Sequence, residues 1–428
     1  MRTRTASVLV AVFCLLGVLA VSGVGLSSNG QLVEQWVSDT PRDNEVNHHT
    51  VGVGPAGDVV VAPVAELPNS DVPITNTSCS LVRLAPGNGT TVWQTGMPAG
   101  ACFTHALTEP AIEDADGDGS IEVFVSSTEN ALVAYDAATG GEEWRVPLAT
   151  YGYGRPTVAD VTGDSSPEVV TSDIRGNVVV ASGDGAVRWR FDTSSVGWSR
   201  ASVWAAPIVT DVDDDGAQEV LVGTSKGVVL LTDNGDVDWV VNGSATYTAA
   251  AQADDDSAVE VFTAGTISLR AYDGASGELQ WERKLSNPRI RNAADADSDG
   301  TVELLVGRAD GRVRSMNART GETEWSTKIS EGDDTMIPPP VLGDVDGTSG
   351  PEVIAVTNSG TVAVLDAESG SEMAAYEREV PVWTVPTPAD LDGDGDAEVL
   401  VRYGDGRVVA LDYAGGSDGI IPELNRVV

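Results

Sequence analysis

Residues 113–144 read EDADGDGSIEVFVSSTENALVAYDAATGGEEW, one complete copy of the unit from which the chain is built. Asp114, Asp116 and Asp118 alternate, Gly119 follows, and an acid returns at Glu122. An apolar run opens there, a polar turn interrupts it, a second run ends at Asp136, and a Gly turn leads to Trp144. Runs of five or six residues with turn chemistry about every ten predict short antiparallel strands. The acidic loop returns at Asp160 (DVTGDSSPEVV), Asp211 (DVDDDGAQEVLV), Gln252 (QADDDSAVEVF), Asp295 (DADSDGTVELLV), Asp344 (DVDGTSGPEVIAV) and Asp390 (DLDGDGDAEVLV). Successive copies start 41 to 51 residues apart, a spacing typical of propeller blades.

The second half of the unit recurs as well. AYDAATGGEEW (134–144) is echoed by AYDGASGELQW (271–281) and SMNARTGETEW (315–325), and in shorter form by ASGDGAVRW (181–189) and LTDNGDVDW (231–239). A unit from Val51 to Trp93 has the strands without the acidic loop and carries an insertion around 65–78. Tryptophan strands fall at Trp36, Trp93, Trp144, Trp189, Trp239, Trp281 and Trp325, with a degenerate member near Tyr376. The last unit, GRVVALDYAGG, has no such strand after it, and Trp36 has no strands before it. The N-terminal strand is therefore expected to complete the last blade, which hides both sheet edges. The expected fold is all-β: an eight-bladed propeller of four-stranded antiparallel blades over 31–416, followed by a tail at 417–428.

The A-x-D-x-x-T-G-x-x-x-W run from Ala134 to Trp144 resembles the repeat of pyrroloquinoline-quinone-type (PQQ-like) eight-bladed propellers. The D-x-D-x-D-G-x-x-E loops resemble the calcium loops of FG-GAP and VCBS repeats, as in integrin-type propellers. The two resemblances cover nearly all of the chain beyond residue 28. They imply the fold directly and the function only loosely.

Calcium takes six to eight oxygens, which carboxylates and carbonyls of one tight loop can supply. Alternation places side chains 1, 3 and 5 on one side of the turn, and the acid at 9 closes the cage. Four copies keep every acid: Asp114/Asp116/Asp118/Glu122, Asp211/Asp213/Asp215/Glu219, Asp295/Asp297/Asp299/Glu303 and Asp390/Asp392/Asp394/Glu398. Asp160/Thr162/Asp164/Glu168 and Asp344/Asp346/Thr348/Glu352 each exchange one carboxylate for a hydroxyl. The copy at Asp254/Asp256/Glu260 has Gln252 in first place and lacks the glycine. Several calcium ions are the expected cofactor. The alternative is a set of acidic turns without metal.

With 25 basic against 65 acidic residues the net charge is −40, which excludes general binding to nucleic-acid phosphates. Lysine occurs only at Lys226, Lys284 and Lys328, and this excess of short acids resembles proteins of salt-loving archaea. At the N-terminus, Arg2 and Arg4 precede an apolar run from Val8 to Leu26, the pattern of a signal peptide or of an uncleaved membrane anchor over 1–28. Export to the cell surface or beyond is expected, with membrane contact through this segment alone. In an exported chain the even pair Cys79 and Cys102 predicts a disulfide, the alternative being two buried thiols.

In a four-stranded meander the acidic loops and the Gly turns share one face of the ring. The other face collects Arg155, Arg175, Arg200, Lys226, Arg289, Arg291, Arg308 and Arg402, together with Tyr151, Tyr153, Trp198, Trp204, Tyr247 and Trp383. Arg155, Arg200, Trp204, Arg289, Arg291 and Trp383 form the candidate ligand face, suited to an acidic glycan or a surface protein. The competing reading has these arginines paired with acids and the aromatics wedged between blades. The three histidines, His48, His49 and His105, all lie before the second acidic loop, and no nucleophile or zinc spacing appears. The adjacent cysteines expected of a quinone-dependent alcohol dehydrogenase are absent. The expectation is thus a monomeric, calcium-stabilised binding or assembly module. The alternatives are a quinoprotein oxidoreductase and a polysaccharide lyase.

Overall fold

The second and third strands of a unit are largely buried, in Glu219–Gly223 and Gly227–Leu231 at every position, whereas fourth strands such as Val187–Asp192 are largely exposed. Strands covered on both faces need an unbroken apolar run, and outermost strands can alternate. The computed structural model describes residues 30–40, 48–66, 78–97, 107–330, 332, 335–348 and 350–415. The apolar segment 1–28 and the tail 417–428 lie outside them. Among the described residues no helix is long and apolar enough to cross a membrane.

The strands form eight four-stranded antiparallel sheets, each a blade. We label the strands of a blade a to d from the axis outward. Blade 1 comprises Gly52–Val53, Val60–Glu66, Ser78–Leu84 and Thr91–Met97, and blade 2 comprises Ala111–Glu113, Glu122–Ser127, Ala131–Asp136 and Glu142–Pro147. Blades 3 to 7 begin with Thr157–Ala159, Ile208–Thr210, Tyr247–Ala251, Ala293–Ala294 and Val341–Gly343. Blade 8 takes Thr387–Ala389, Glu398–Arg402 and Val408–Ala414 from the C-terminal end of the chain and Gln31–Val37 from the N-terminal end. Gln31 pairs with Ala414 and Val37 with Val409, so the ring closes as the sequence predicts. Strands a of blades 8 and 1 touch, as do those of blades 1 and 2.

One device joins the blades. In blade 2, strand d carries one extra residue, Glu143, opposite the step between Ala134 and Tyr135. Such a bulge re-aims the side chain that follows it. That side chain is Trp144, whose indole N–H donates to the Gly183 carbonyl of blade 3 at 2.7 Å. Trp36, Trp93, Trp189, Trp239, Trp281 and Trp325 make the equivalent bond to their neighbours. Each indole also lies flat on a glycine of the next blade. At Gly140, with φ of +71°, an added Cβ would come within 2.6 Å of the Trp93 ring. Left-handed backbone and close approach together demand glycine there.

The seam between blades 7 and 8 departs from this plan. The bulge residue of blade 7 is Met373, so Ala374 stands at the tryptophan position. Tyr376, the degenerate member expected from the sequence, lies two residues further on, and its hydroxyl donates to Glu34 at 2.8 Å. In blade 8, strands c and d come from opposite ends of the chain, so there is no turn glycine for an indole to cover.

Candidate functional site

The acidic loops join strands a and b. In all seven, the closing glutamate is buried and its Oε2 accepts the backbone N–H of the second loop residue. The N–H donors are Ala115, Val161, Val212, Ala253, Ala296, Val345 and Leu391. The aspartates accept loop amides in turn: in blade 2, Asp114 takes Gly117 and Gly119, Asp116 takes Asp118, and Asp118 takes Ser120. Each loop is thus held by carboxylate-to-amide bonds, and oxygens remain for a cation. Ligand oxygens of Asp114, Asp116, Asp118 and Glu122 lie within 4.8 Å of one another, as do those of Asp211/Asp213/Asp215, Asp254/Asp256/Glu260, Asp295/Asp297/Asp299 and Asp344/Asp346/Glu352. Two oxygens about 2.4 Å from a calcium ion sit at most about 4.8 Å apart, so the spacing fits. Burial, aided by the nearby aspartates, pushes Glu122, Glu219, Glu303 and Glu352 up to about 7.

The loops do not gather every expected ligand alike. In blades 4 and 6 the close set is the three aspartates, and Glu219 and Glu303 stand outside it on the loop amide. In blade 7 the carboxylates that come together are those of Asp344, Asp346 and Glu352. Thr348, expected as the fifth-position ligand there, is exposed, and its backbone N–H donates to Asp346 Oδ1 at 3.0 Å. Blade 8 repeats the bonding of blade 2: Asp390 takes Gly393 and Gly395, Asp392 takes the N–H of Asp394, and Asp394 takes that of Asp396. Asp392 and Asp394 are exposed, as Asp116 and Asp118 are in blade 2.

Blade 3 differs again. Arg188, the bulge residue of its strand d, reaches Glu168 Oε1 at 3.4 Å and Asp164 Oδ2 at 3.5 Å. Thr162 turns its hydroxyl onto Glu168 Oε1 at 3.1 Å. A guanidinium here meets the carboxylates that in other blades face only acids and amides.

On the opposite face the loops entering strand a converge on the axis. All eight blades contribute to a cavity of 590 Å³. Arg155, Trp204, Arg289, Arg291 and Trp383 line it, whereas Arg200 is exposed and lies elsewhere. Arg402, expected on this face, is fully buried in blade 8. Trp198 is a wedge: it is buried, and its indole N–H donates to Asn242 at 2.9 Å. Cys79 is disulfide-bonded, and Cys102, its expected partner, lies outside the described residues.

The cavity also contains residues that sequence reading passes over. Glu109, before strand a of blade 2, receives Arg291 of blade 6 through two bonds of 2.7 and 3.2 Å. Blades 2 and 6 stand opposite in an eight-membered ring, so this pair spans the axial channel. A second cavity of 660 Å³ beyond it shares Glu109, Arg155 and Arg291 in its lining, which makes the pair the waist of the channel. Burial alone would raise the Glu109 carboxyl, but Arg291, with Arg155 and His49 behind it, brings it below its usual value. Around the mouth, His48 stacks on Trp383 with centroids 5.6 Å apart, and Tyr153 meets His49 and Trp204 edge-on at 4.7 and 4.9 Å. Tyr153, Trp204 and Trp383 share one position, four residues before strand a of their blades, whereas Glu109 has no counterpart acid in the other blades. An acid in TEPAIE, just before a blade's inner strand, was the available signal.

Comparison with known proteins places this geometry. The sequence profile described as outer membrane protein assembly factor BamB matches residues 78–193, 160–331 and 309–418. The Yersinia pestis protein of that name is 23% identical over 273 residues, covering 58% of this chain and 63% of its own length. The chain spans 57 to 63% of the curated relatives it matches. The crystal structure of BamB from Moraxella catarrhalis superposes with a TM-score of 0.56 at 18% identity, over 89% of this chain and 97% of that one. A quinohemoprotein alcohol dehydrogenase from Pseudomonas putida HK5 superposes at 0.60 and 13% identity, over 93% and 78%. At such identities the superpositions speak for the fold alone, and that fold carries both an assembly factor and an enzyme. The profile match across most of the chain is the decisive finding: this PQQ-like repeat propeller belongs to the outer membrane protein assembly factor BamB family.

Proposed function

We propose that the protein is an exported, calcium-stabilised binding and assembly module without catalytic activity, and that the funnel mouth is its recognition face for a surface protein or an acidic glycan. The observation that carries this reading is that all eight blades converge on one cavity, which gathers Arg155, Arg289 and Arg291 with the rings of Tyr153, Trp204 and Trp383. Membership of a family whose named members are assembly factors supports the same reading. Calcium would be held by the acidic loops of blades 2 and 4 to 8, where it would neutralise clustered carboxylates and fix the a–b turns. In blade 3, Arg188 takes that part. Proton or electron transfer is not required of any residue in this role.

A photo-crosslinking amino acid placed at Trp204, on the funnel face, or at Val187, on the rim of the other face, tests the reading in envelope preparations. Adducts at Trp204 and none at Val187 are expected. Adducts at Val187 alone would overturn it. Dye reduction by alcohols after incubation with a quinone cofactor, or new unsaturated ends on uronic polymers, would favour an enzyme instead.

A further inference from the structure

The funnel holds cationic groups that the protein itself leaves without a full complement of partners. Arg289 lines the cavity, forms no ion pair among the described residues, and its Nη1 is buried without a hydrogen bond. Its backbone is fixed by a two-way bridge to Gly307, N–H to carbonyl at 3.0 Å in each direction. Arg155 approaches Glu109 only at 4.0 Å, because Arg291 already takes both carboxylate oxygens, and Arg155 Nε makes no hydrogen bond. Counting Glu109 and Glu113 against the three arginines leaves the lining with net positive charge in a chain of net charge −40. A buried guanidinium nitrogen without an acceptor is costly, and an anion is what would satisfy it.

The walls narrow the class of anion. Trp204 is 42% exposed and meets Tyr153 edge-on, as Tyr153 meets His49, so part of the indole is presented to solvent. Pro156, Pro338 and Pro339 supply part of the remaining lining and carry no backbone N–H. At these three positions a peptide's carbonyls find no amide donor. A sugar ring needs none: its C–H face packs on an aromatic ring, and a ring carboxylate meets an arginine fork. The volume falls within the roughly 300–1,000 Å³ of small-ligand sites, and the Glu109–Arg291 pair closes the far end. The site therefore takes the end of a chain or a free sugar, and a strand cannot thread through it.

We propose that the funnel binds a uronic acid, free or as the terminal unit of an acidic polysaccharide, with its carboxylate between Arg289 and Arg155 and its ring against Trp204. This rests on the reading of the funnel mouth as the recognition face. Calorimetric titration of the full chain with glucuronate, digalacturonate, glucuronate methyl ester, glucose and hexaglutamate tests it. Uronate and digalacturonate should bind, and the ester, glucose and hexaglutamate at least tenfold more weakly. Arg289→Ala should weaken uronate at least tenfold with an unchanged melting temperature, Arg289→Lys should recover part of the loss, and Trp204→Leu should weaken binding independently of charge. Digalacturonate binding more tightly than glucuronate would identify a chain end as the source, and the reverse a free sugar. Equal binding of ester and acid, an Arg289→Ala titration like that of the wild type, or preference for hexaglutamate would overturn the proposal. If uronates fail while crosslinks at Trp204 persist, the recognition face stands and its ligand class falls.

Discussion

The two faces of the ring follow opposite rules. On the acidic face the same few residues return in blade after blade, each closing glutamate on the same backbone amide and each indole on a glycine of the next blade. On the funnel face the charged lining changes from blade to blade, with Glu109 from blade 2, Arg155 from blade 3 and Arg289 and Arg291 from blade 6, while Trp204 and Trp383 share one position in blades 4 and 8. Repetition marks what the architecture needs everywhere. A residue present once marks a task performed at one place. The acidic loops look more like chemistry than the funnel does, yet they serve the ring.

The contrast is broken most strongly by removing calcium. If the loops hold it, chelation removes a stabilisation of about 2.7 kcal/mol per site at a hundredfold excess over Kd, and melting should drop by on the order of 10 °C or more. Calorimetry with and without chelator checks this, and an unchanged melting point would sink the metal reading. Next in size, Trp144→Ala should cost about 3–5 kcal/mol by opening a seam, measured by chemical denaturation. Gly140→Ala should cost less, about 1–3 kcal/mol, from a left-handed backbone and contact with Trp93. In contrast, Arg289→Ala should move stability by under about 0.5 kcal/mol, as expected where no ion pair is lost.

Acid titration separates the faces by sign. In the chelated protein, Glu122, Glu219, Glu303 and Glu352 stand near 7, above the unfolded value of about 4.3. Their contribution to stability is complete below that unfolded value and is lost as pH rises through 7. Glu109 is depressed, so its contribution is present above the unfolded value and is lost as pH falls below it. Chelated protein should therefore be more stable at pH 5 than at pH 8, and Glu109→Gln should flatten the further loss below about pH 4.5. Arg188→Ala sharpens the comparison within one face, since it should add a calcium-binding event to blade 3 if the guanidinium stands in for the ion.

What could be read from the sequence divides along the same line. Strands, blade number, closure by the N-terminal strand and the positions of the loop carboxylates all followed from periodicity. Periodicity does not say how closely the loop oxygens gather, and Glu219 and Glu303 keep the spacing while standing outside the close aspartate sets. Arg155, Arg289, Arg291, Trp204 and Trp383 were found because meander topology sends their loops to one face. Arg200 and Arg402 follow the same topology but miss the cavity, because topology assigns a loop to a face and leaves the direction of the side chain open. Glu109, His48 and His49 were missed because their partners lie far away in sequence: Glu109 and Arg291 are 182 residues apart. The degenerate strand read near Tyr376 is Glu372–Glu377, and Ala374 takes the tryptophan position within it because the bulge that sets the register leaves no mark in an isolated repeat.

Blade 8 has a consequence for the order of events in synthesis. A ribosome delivers strand Gln31–Val37 first and its partner Val408–Ala414 last, so the earliest strand waits while seven blades are made. Its hydrogen bonds span very large sequence separations, with Gln35 reaching Asp412 across 377 residues. Contacts so distant in sequence are slow to form. Until the last strand arrives, Trp36 belongs to a blade that does not yet exist, although blade 1, on which it docks, is already complete. The final event in making the protein is therefore the joining of its two ends, and a chain shortened at either end would keep most of its blades and lose the ring.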